Sequence, residues 1–379
     1  MFRSRPLVFS PSLKQMSSVL SPAYIEASTK PSSLSSNAPR KLLVLDLNGS
    51  LLLRTKRVKK HAKDGPTLRT VHPRPYMQSF REYIFHARVK EWLDTLVWSS
   101  AQPHSVKDMV DRCFGGKKTD FKAIWARDTF GLDTDQYHQK SQTTKDLEKI
   151  WNAFPSHSAY TTCLVDDSPR KARLQPWNHL CIEEYDARLR TRDLEIWQRL
   201  HSTAGESKNA KKKEEKKERR RRQRNDAEVD PVNSSLDTHE SQPAAPLPPS
   251  HEKTADADPD SAGYDKTLLA IIGILNEIKS QTNIAAWIRA GGLGRVKSML
   301  QASPRLPRPV LDTQDSKTLC EDQNEKEVKD SDEIEENKVA KLLETHDKWF
   351  EHPDIVDAWA QKGKVALGEL GIDVVPGVH

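Results

Sequence analysis

Three short apolar runs in this 379-residue sequence each end in side chains that are costly to bury. Leu42-Leu43-Val44-Leu45 leads into Asp46-Leu47-Asn48-Gly49-Ser50, Thr95-Leu96-Val97-Trp98 into Ser99-Ser100, and Thr161-Thr162-Cys163-Leu164-Val165 into Asp166-Asp167-Ser168-Pro169. If the three ends converge, Asp46, Ser99, Asp166 and Asp167 share one crevice. Carboxylates held that closely repel one another unless a cation lies among them. A set of hard oxygen donors suits Mg2+, which keeps several waters and binds through one or two carboxylates plus a substrate phosphate. Gly49 supplies the freedom for a tight turn directly after the first run. The residue types point to Mg2+-dependent phosphoryl transfer.

The surrounding pattern says what must position these groups. Runs that are apolar on consecutive residues fit strands buried on both faces. Between them, Tyr76, Phe80, Tyr83 and Ile84 share a helical face after Pro75. Val106, Met109, Val110 and Phe114 do so after Ser105, and Leu147, Ile150, Trp151 and Phe154 after Lys145. Strand and helix alternate, so the expected class is α/β: a Rossmann-like, mainly parallel sheet with helices on both faces. In such sheets the ligand lies beyond the carboxyl ends of the strands, where the polar residues fall.

K-L-L-V-L-D-L-N-G-S-L-L, V-W-S-S-A, T-K-D-L and C-L-V-D-D-S-P-R-K-A occur in that order over residues 41–172. They resemble the four motifs of the haloacid-dehalogenase (HAD) superfamily, in its Fcp/Scp or NLI-interacting-factor (NIF) phosphatase-like branch. The following R-L-Q-P-W-N-H-L-C-I-E-E-Y-D resembles the end of that domain, so the likeness covers about residues 40–187. The resemblance implies Asp46 as the nucleophile that forms an aspartyl-phosphate, a carboxylate being charged at neutral pH without a base. It implies Mg2+ held by Asp46, the main-chain carbonyl of Asn48 and Asp167, with Asp166 a ligand or supporting partner. Ser99 would hydrogen-bond phosphate, and Lys145 would offset charge around the nucleophile.

One position departs from the pattern. Active members read D-x-D-x-[TV], and here Asn48 stands at the second aspartate and Ser50 at the following site. The second aspartate is the family's general acid/base, a task no carboxamide performs. The resemblance therefore implies a protein Ser/Thr phosphatase of weakened activity, with His72 and His104 as conceivable substitute acid/bases. The alternative is a pseudoenzyme: a non-catalytic scaffold like the presequence-receptor subunit of the mitochondrial inner-membrane translocase, which serves protein import. The partner is accordingly a phosphoprotein substrate or another protein. Residues 115–140 offer no large cap, which suits a protruding phosphoresidue better than an enclosed metabolite.

Hydrophobic residues make up 36% and charged residues 30%, too polar for one packed body throughout. Residues 206–225 carry 11 Lys/Arg and 4 Glu, a local +7 against a total of +6, so the basic character belongs to one segment. Its Lys211, Lys212, Lys213, Arg219, Arg220, Arg221 and Arg222 read as a solvated linker, a nuclear-localisation signal or a nucleic-acid patch. Residues 1–40 are rich in Arg and Ser and hold one acid, Glu26; they read as a disordered tail or a mitochondrial targeting segment, although five prolines interrupt an amphipathic helix. Localisation stays open between mitochondrial and nuclear or cytoplasmic. No apolar run reaches the ~18 residues of a membrane helix, and four scattered cysteines suggest neither a disulfide scaffold nor a zinc module. The expected division is 1–40, a HAD domain over 41–200, a basic then Pro/Ser-rich linker over 201–262, a helical segment over 263–302, an acidic linker over 303–336 and a helical segment over 337–379. The two helical segments either pack on the main domain or bind partners.

Overall fold

A computed structural model describes residues 20–55, 69–139, 141–202, 263–295 and 348–378. The basic run with Lys211, Lys212, Lys213 and Arg219 to Arg222, and the 303–336 linker, lie outside the described residues. The chain divides into two compact units. The smaller contains helical residues 191–202, in which Trp197 stacks on His201 at 4.3 Å. The larger, Met1–Arg190 with Asp265–Gly377, contains everything that follows.

Its centre is a five-stranded parallel sheet: β1 (Lys41–Leu45), β4 (Leu93–Trp98), β5 (Ala123–Trp125), β6 (Thr162–Asp166) and β7 (His179–Cys181), in the order β5-β4-β1-β6-β7. Every residue of β1, β6 and β7 is buried, as continuous apolar runs require. One face is filled by Leu42, Val44, Leu96, Trp98 and Leu164 against Phe130, Leu147, Ile150 and Ala172. The alternate residues Leu43, Leu45, Val97, Cys163 and Val165 occupy the other face and are equally buried. The expected α/β class is what the chain adopts. A small antiparallel hairpin, β2 (Leu52–Thr55) with β3 (Thr70–Pro73), follows the first strand and was not legible in the sequence pattern.

The helices begin at slightly different residues from those the pattern suggested. The first is α2 (Met77–Ile84), preceded by Tyr76 at φ 64° rather than opening at Pro75. The second, α3 (Pro103–Phe114), opens at Pro103, whose missing N–H costs nothing in a first turn. At the lower end of β4, Asp94 accepts Arg40 (2.6 Å), Lys122 (3.0 Å) and His157 (3.0 Å), tying the strand to three flanking loops. Burial would raise its carboxyl, but these partners outweigh it and hold it at about 2.

Residues 20–40 do not behave as the tail expected for 1–40. Helix α1 (Pro22–Thr29) places Tyr24 against Trp177 (5.5 Å) and Trp151 (6.5 Å), and its hydroxyl accepts the Trp177 amide at 2.9 Å. Ser35 then pairs with Ser280 and Ser33 with Thr282 through backbone bonds of 2.9 Å.

The C-terminal helices pack on the same body. Ten of the twelve residues of α4 (Thr267–Ile278) are buried, and α4 lies along α5 (Pro353–Glu369). Two glycines make the approach possible: a Cβ on Gly273 would lie 2.2 Å from the Trp359 carbonyl oxygen, and one on Gly363 2.0 Å from that of Leu269. The pair is docked on the sheet domain by Trp349, whose indole donates to the Cys181 carbonyl (2.8 Å). Beyond α5, the Ser79 hydroxyl donates to the Asp373 carbonyl (2.7 Å), and the Tyr76 amide donates to that of Pro376 (2.8 Å).

The glycine crossing sets a test. Gly363→Ala should lower the unfolding free energy by about 1–3 kcal/mol through overpacking, against a helix-propensity gain of up to ~1 kcal/mol. Gly368→Ala, on the same helix with no atom within 4 Å of an added Cβ, should be neutral or stabilising in the same urea titration. Equal effects at the two sites would contradict the close contact.

Candidate active site

Register brings the acidic residues level. Leu45 pairs with Val97 on one side and Val165 on the other, so the next residue, Asp46, lies level with Trp98 and Asp166. Between β1 and β6 the chain reverses its direction of travel across the sheet, and a crevice opens there in sheets of this kind. Oxygen atoms of Asp46, Asp166 and Asp167 lie within 4.8 Å of one another. Asp46 and Asp166 are buried and Asp167 is partly exposed.

Two lysines answer this charge. Lys145 Nζ donates to Asp46 Oδ1 (2.8 Å) and Asp166 Oδ2 (2.6 Å), all three groups being buried. Lys171 Nζ donates to Asp166 Oδ1 (3.2 Å) and more distantly to Asp46 Oδ2 (3.4 Å). Lys145 is aimed inward by its backbone, whose amide donates to the Lys171 carbonyl (2.7 Å). It immediately precedes Asp146, the N-cap of the short helix Leu147–Ala153, and Gln175 fastens that cap through both Asp146 and the Leu147 amide.

The electrostatics separate the three carboxylates. Burial alone would raise Asp166, but Lys145 and Lys171 outweigh it and hold the carboxyl below its usual range. Burial would lower Lys171, and the three carboxylates outweigh that, raising the ammonium above its usual range. Asp167 is bonded to neither lysine; burial, then Asp166 and Asp46, push it up to about 6. Among the described residues its side-chain partner is Ser50, whose hydroxyl donates to Oδ1 (2.8 Å) and accepts the Asp167 amide (3.1 Å). Below, His179 Nε2 donates to the Asp166 carbonyl (2.9 Å), and burial pushes this imidazole down to about 4, so it is neutral at pH 7.

These residues fit a divalent cation. Three carboxylates face two ammonium groups, and the excess negative charge falls on Asp167. Gly49 leaves room beside it: a Cβ there would meet all three carboxyl atoms of Asp167 at 3.0 Å, and the residue's φ of 91° is one that other residues rarely adopt. The donors are hard oxygens, of the type Mg2+ prefers.

Of the residues singled out in the sequence, Asp46, Asp166, Asp167 and Lys145 are brought together. Asn48 lies on the turn after Asp46 with its side chain exposed. Ser99 is buried at the end of β4, where its hydroxyl accepts the Ala101 amide at 3.4 Å. His104 is an exposed residue in the first turn of α3, and His72 pairs with the Thr55 hydroxyl across the hairpin (2.8 Å). Lys171 was missed as a site residue, although it stands in the fourth motif five residues after Asp166. Ser50, at the Thr/Val position of the first motif, supplies the hydroxyl that orients Asp167.

Residues 41–212 match the family model described as NLI interacting factor-like phosphatase. An uncharacterised FCP1 homology domain-containing protein of Schizosaccharomyces pombe (strain 972) is 32% identical over 169 residues, which are 41% of this chain and 67% of that protein. The chain belongs to the NLI interacting factor-like phosphatase family. A structure of a fission yeast RNA polymerase II CTD phosphatase Fcp1 variant bound to beryllium fluoride, and one of Fcp1 described as an essential RNA polymerase II CTD phosphatase, align over 39% of this chain with 14% and 15% identity and a TM-score of 0.29 each. The match spans 42% of those chains, and the fold assignment rests on the sheet described above. Within this family the parallel sheet is the HAD-type core, and the four sequence motifs fall at its strand ends and at the Lys145 helix start. Among the described residues no helix is long and apolar enough to cross a membrane.

Two measurements check the electrostatics. Lys145→Met leaves two buried carboxylates short of a counter-charge and should lower the unfolding free energy at pH 7 by about 3–5 kcal/mol. A loss under ~1 kcal/mol, the scale of an exposed pair, would contradict the buried cluster. In chelator, pH acts in two directions. The folded value of Asp167, about 6, exceeds the ~3.9 of an unfolded aspartate, so its contribution improves as pH falls from 7 towards 4. Asp166 and Asp94 are shifted the other way, and the stability they supply is lost as pH falls below ~4. His179 acts against Asp167 over the same range: its folded value, about 4, lies below the ~6.5 of an unfolded imidazole, so the stability it supplies is lost as pH falls from 7 towards 4. Removing the Asp167 contribution with Asp167→Asn should therefore make the fall in denaturant midpoint from pH 7 to 4, measured without divalent ions, steeper than in the wild type; equal slopes would contradict the raised Asp167 value.

Proposed function

We propose that the chain is a Mg2+-dependent phosphatase of weakened activity that acts on phosphoserine or phosphothreonine in proteins. The observation that carries the reading is the Asp46 carboxylate, held between Lys145 and Lys171 within ligand distance of Asp167. Asp46 is the nucleophile. Its attack on phosphorus forms an aspartyl-phosphate and releases the substrate oxygen. Lys145 bonds the carboxylate and fixes its direction, and Ser99 binds a phosphate oxygen. Mg2+, held by Asp46, Asp167 and the Asn48 main-chain carbonyl with Asp166 in support, offsets the repulsion between phosphate and nucleophile when bound.

Two proton transfers remain without a dedicated group. The departing oxygen needs a proton, and the water that hydrolyses the aspartyl-phosphate must lose one. The Asn48 carboxamide does neither at neutral pH. Loss of general acid/base catalysis costs about 10²–10⁴-fold, so turnover should be slow and should favour good leaving groups. The same substitution supports a second reading, a non-catalytic scaffold comparable to the translocase receptor subunit. His72 and His104 are not needed by either reading, being engaged by Thr55 and exposed, respectively.

Hydrolysis of an aryl phosphate and of a phosphoserine peptide, with and without Mg2+, separates the readings. The phosphatase reading expects slow Mg2+-dependent turnover, abolished in Asp46→Ala and raised about 10²–10⁴-fold in Asn48→Asp. An inert wild type beside an active Asn48→Asp supports the scaffold. Inactivity of both with Mg2+ present would refute the catalytic assignment.

A further inference from the structure

Arg74 lies just beyond β3, and its guanidinium is completely buried. All five of its N–H donors are used. Nη1 donates to the carbonyls of Ser50 (2.9 Å) and Glu183 (3.0 Å). Nε and Nη2 donate to Asp265 Oδ2 (3.1 and 2.7 Å), and Nη2 also to the Thr267 hydroxyl (2.9 Å). The guanidinium stands over the Tyr185 ring at 5.3 Å, and the Tyr185 amide donates to the Gly49 carbonyl (2.6 Å). The consecutive carbonyls of residues 49 and 50 are thus both fastened, and the Ser50 hydroxyl between them and Asp167 sets the direction of that carboxylate.

The other end of this joint comes from far along the chain. Asp265 precedes α4, accepts the Thr267 amide through Oδ1 (2.8 Å), and is itself buried. A buried ion pair is seldom more stabilising than an apolar replacement of similar volume. A planar fork with every donor engaged does what an apolar contact would not: it fixes the orientation of the groups it touches. The groups here are the turn after the nucleophile and the start of the C-terminal helix pair.

We infer that Arg74 and Asp265 are positioning residues for the aspartate site: the segment leading into α4 sets, through Arg74 and Ser50, the direction in which Asp167 presents its carboxylate to a divalent cation. This rests on the metal reading of the site given above. Partners that orient a metal ligand typically account for 10- to 100-fold in metal affinity. The C-terminal helices then belong to the functional unit.

The test is Mg2+ binding by calorimetry on the full chain, beside thermal unfolding in chelator. Asp265→Asn should weaken Mg2+ binding about ten-fold. Adding Ser50→Ala to Asp265→Asn should weaken it little further, because both act through one joint. A purely structural ion pair predicts a lower unfolding temperature with unchanged Mg2+ affinity, and that result, or full additivity of the two changes, overturns the inference. Should Asp265→Asn fail to fold, Thr267→Val removes a single acceptor from the fork, and unchanged affinity there overturns the inference equally. A wild type that takes up no Mg2+ removes the metal reading and this inference with it. Uptake by the wild type with unchanged variants removes only the positioning role.

Discussion

Ionised groups lose several kcal/mol of hydration when they leave water, and their mutual attraction compensates only when geometry is close. At the ends of β1 and β6 this constraint is met by interleaving: Asp46, Lys145, Asp166 and Lys171 alternate in sign and touch at 2.6–3.4 Å. The arrangement demands that two strands, a helix start and a turn all stop in register. Asp46 and Asp166 are level because β1 and β6 pair residue for residue, and Lys145 reaches both because its amide is bonded to the turn carrying Lys171. One carboxylate, Asp167, stays outside the balance, and its surplus charge makes the cluster suitable for a cation rather than merely a stable core.

The same logic extends into the C-terminal third. Helices α4 and α5 meet at two glycines, backbone against backbone, and the pair reaches the sheet domain through polar contacts as well as apolar ones. Arg74 fastens it just beyond β3 and Trp349 at the end of β7, while Ser79 in the first turn of α2 holds the segment that follows α5. The part of the family match up to Arg190 thereby shares one compact unit with the described residues 265–295 and 348–377. The substitution at Asn48 leaves this charge framework intact, because the second aspartate of the motif would stand on the exposed turn and not among the interleaved pairs.

Much of this was legible in the residue order. Continuous apolar runs announced strands buried on both faces, and their polar ends announced Asp46, Asp166 and Asp167, because ionisable groups directly after a buried run must have partners. Lys145 was found by motif and not by pattern, since a lysine before a helix is ordinarily at the surface. Lys171 escaped notice for the same reason: its distinguishing feature is a contact with two carboxylates across the sheet, and neither spacing nor composition reports a distance.

The sequence by itself determined the burial of the strands on both faces, the acidic strand ends and the carboxamide at position 48, because these depend on residue type and local period. Only the tertiary structure decided that residues 20–40 and the C-terminal helices join the core, that Ser50 steers Asp167, and that Arg74 meets Asp265. Each of those depends on groups separated by many residues and brought together by packing, and local pattern carries no information about which distant partner a buried charge will find.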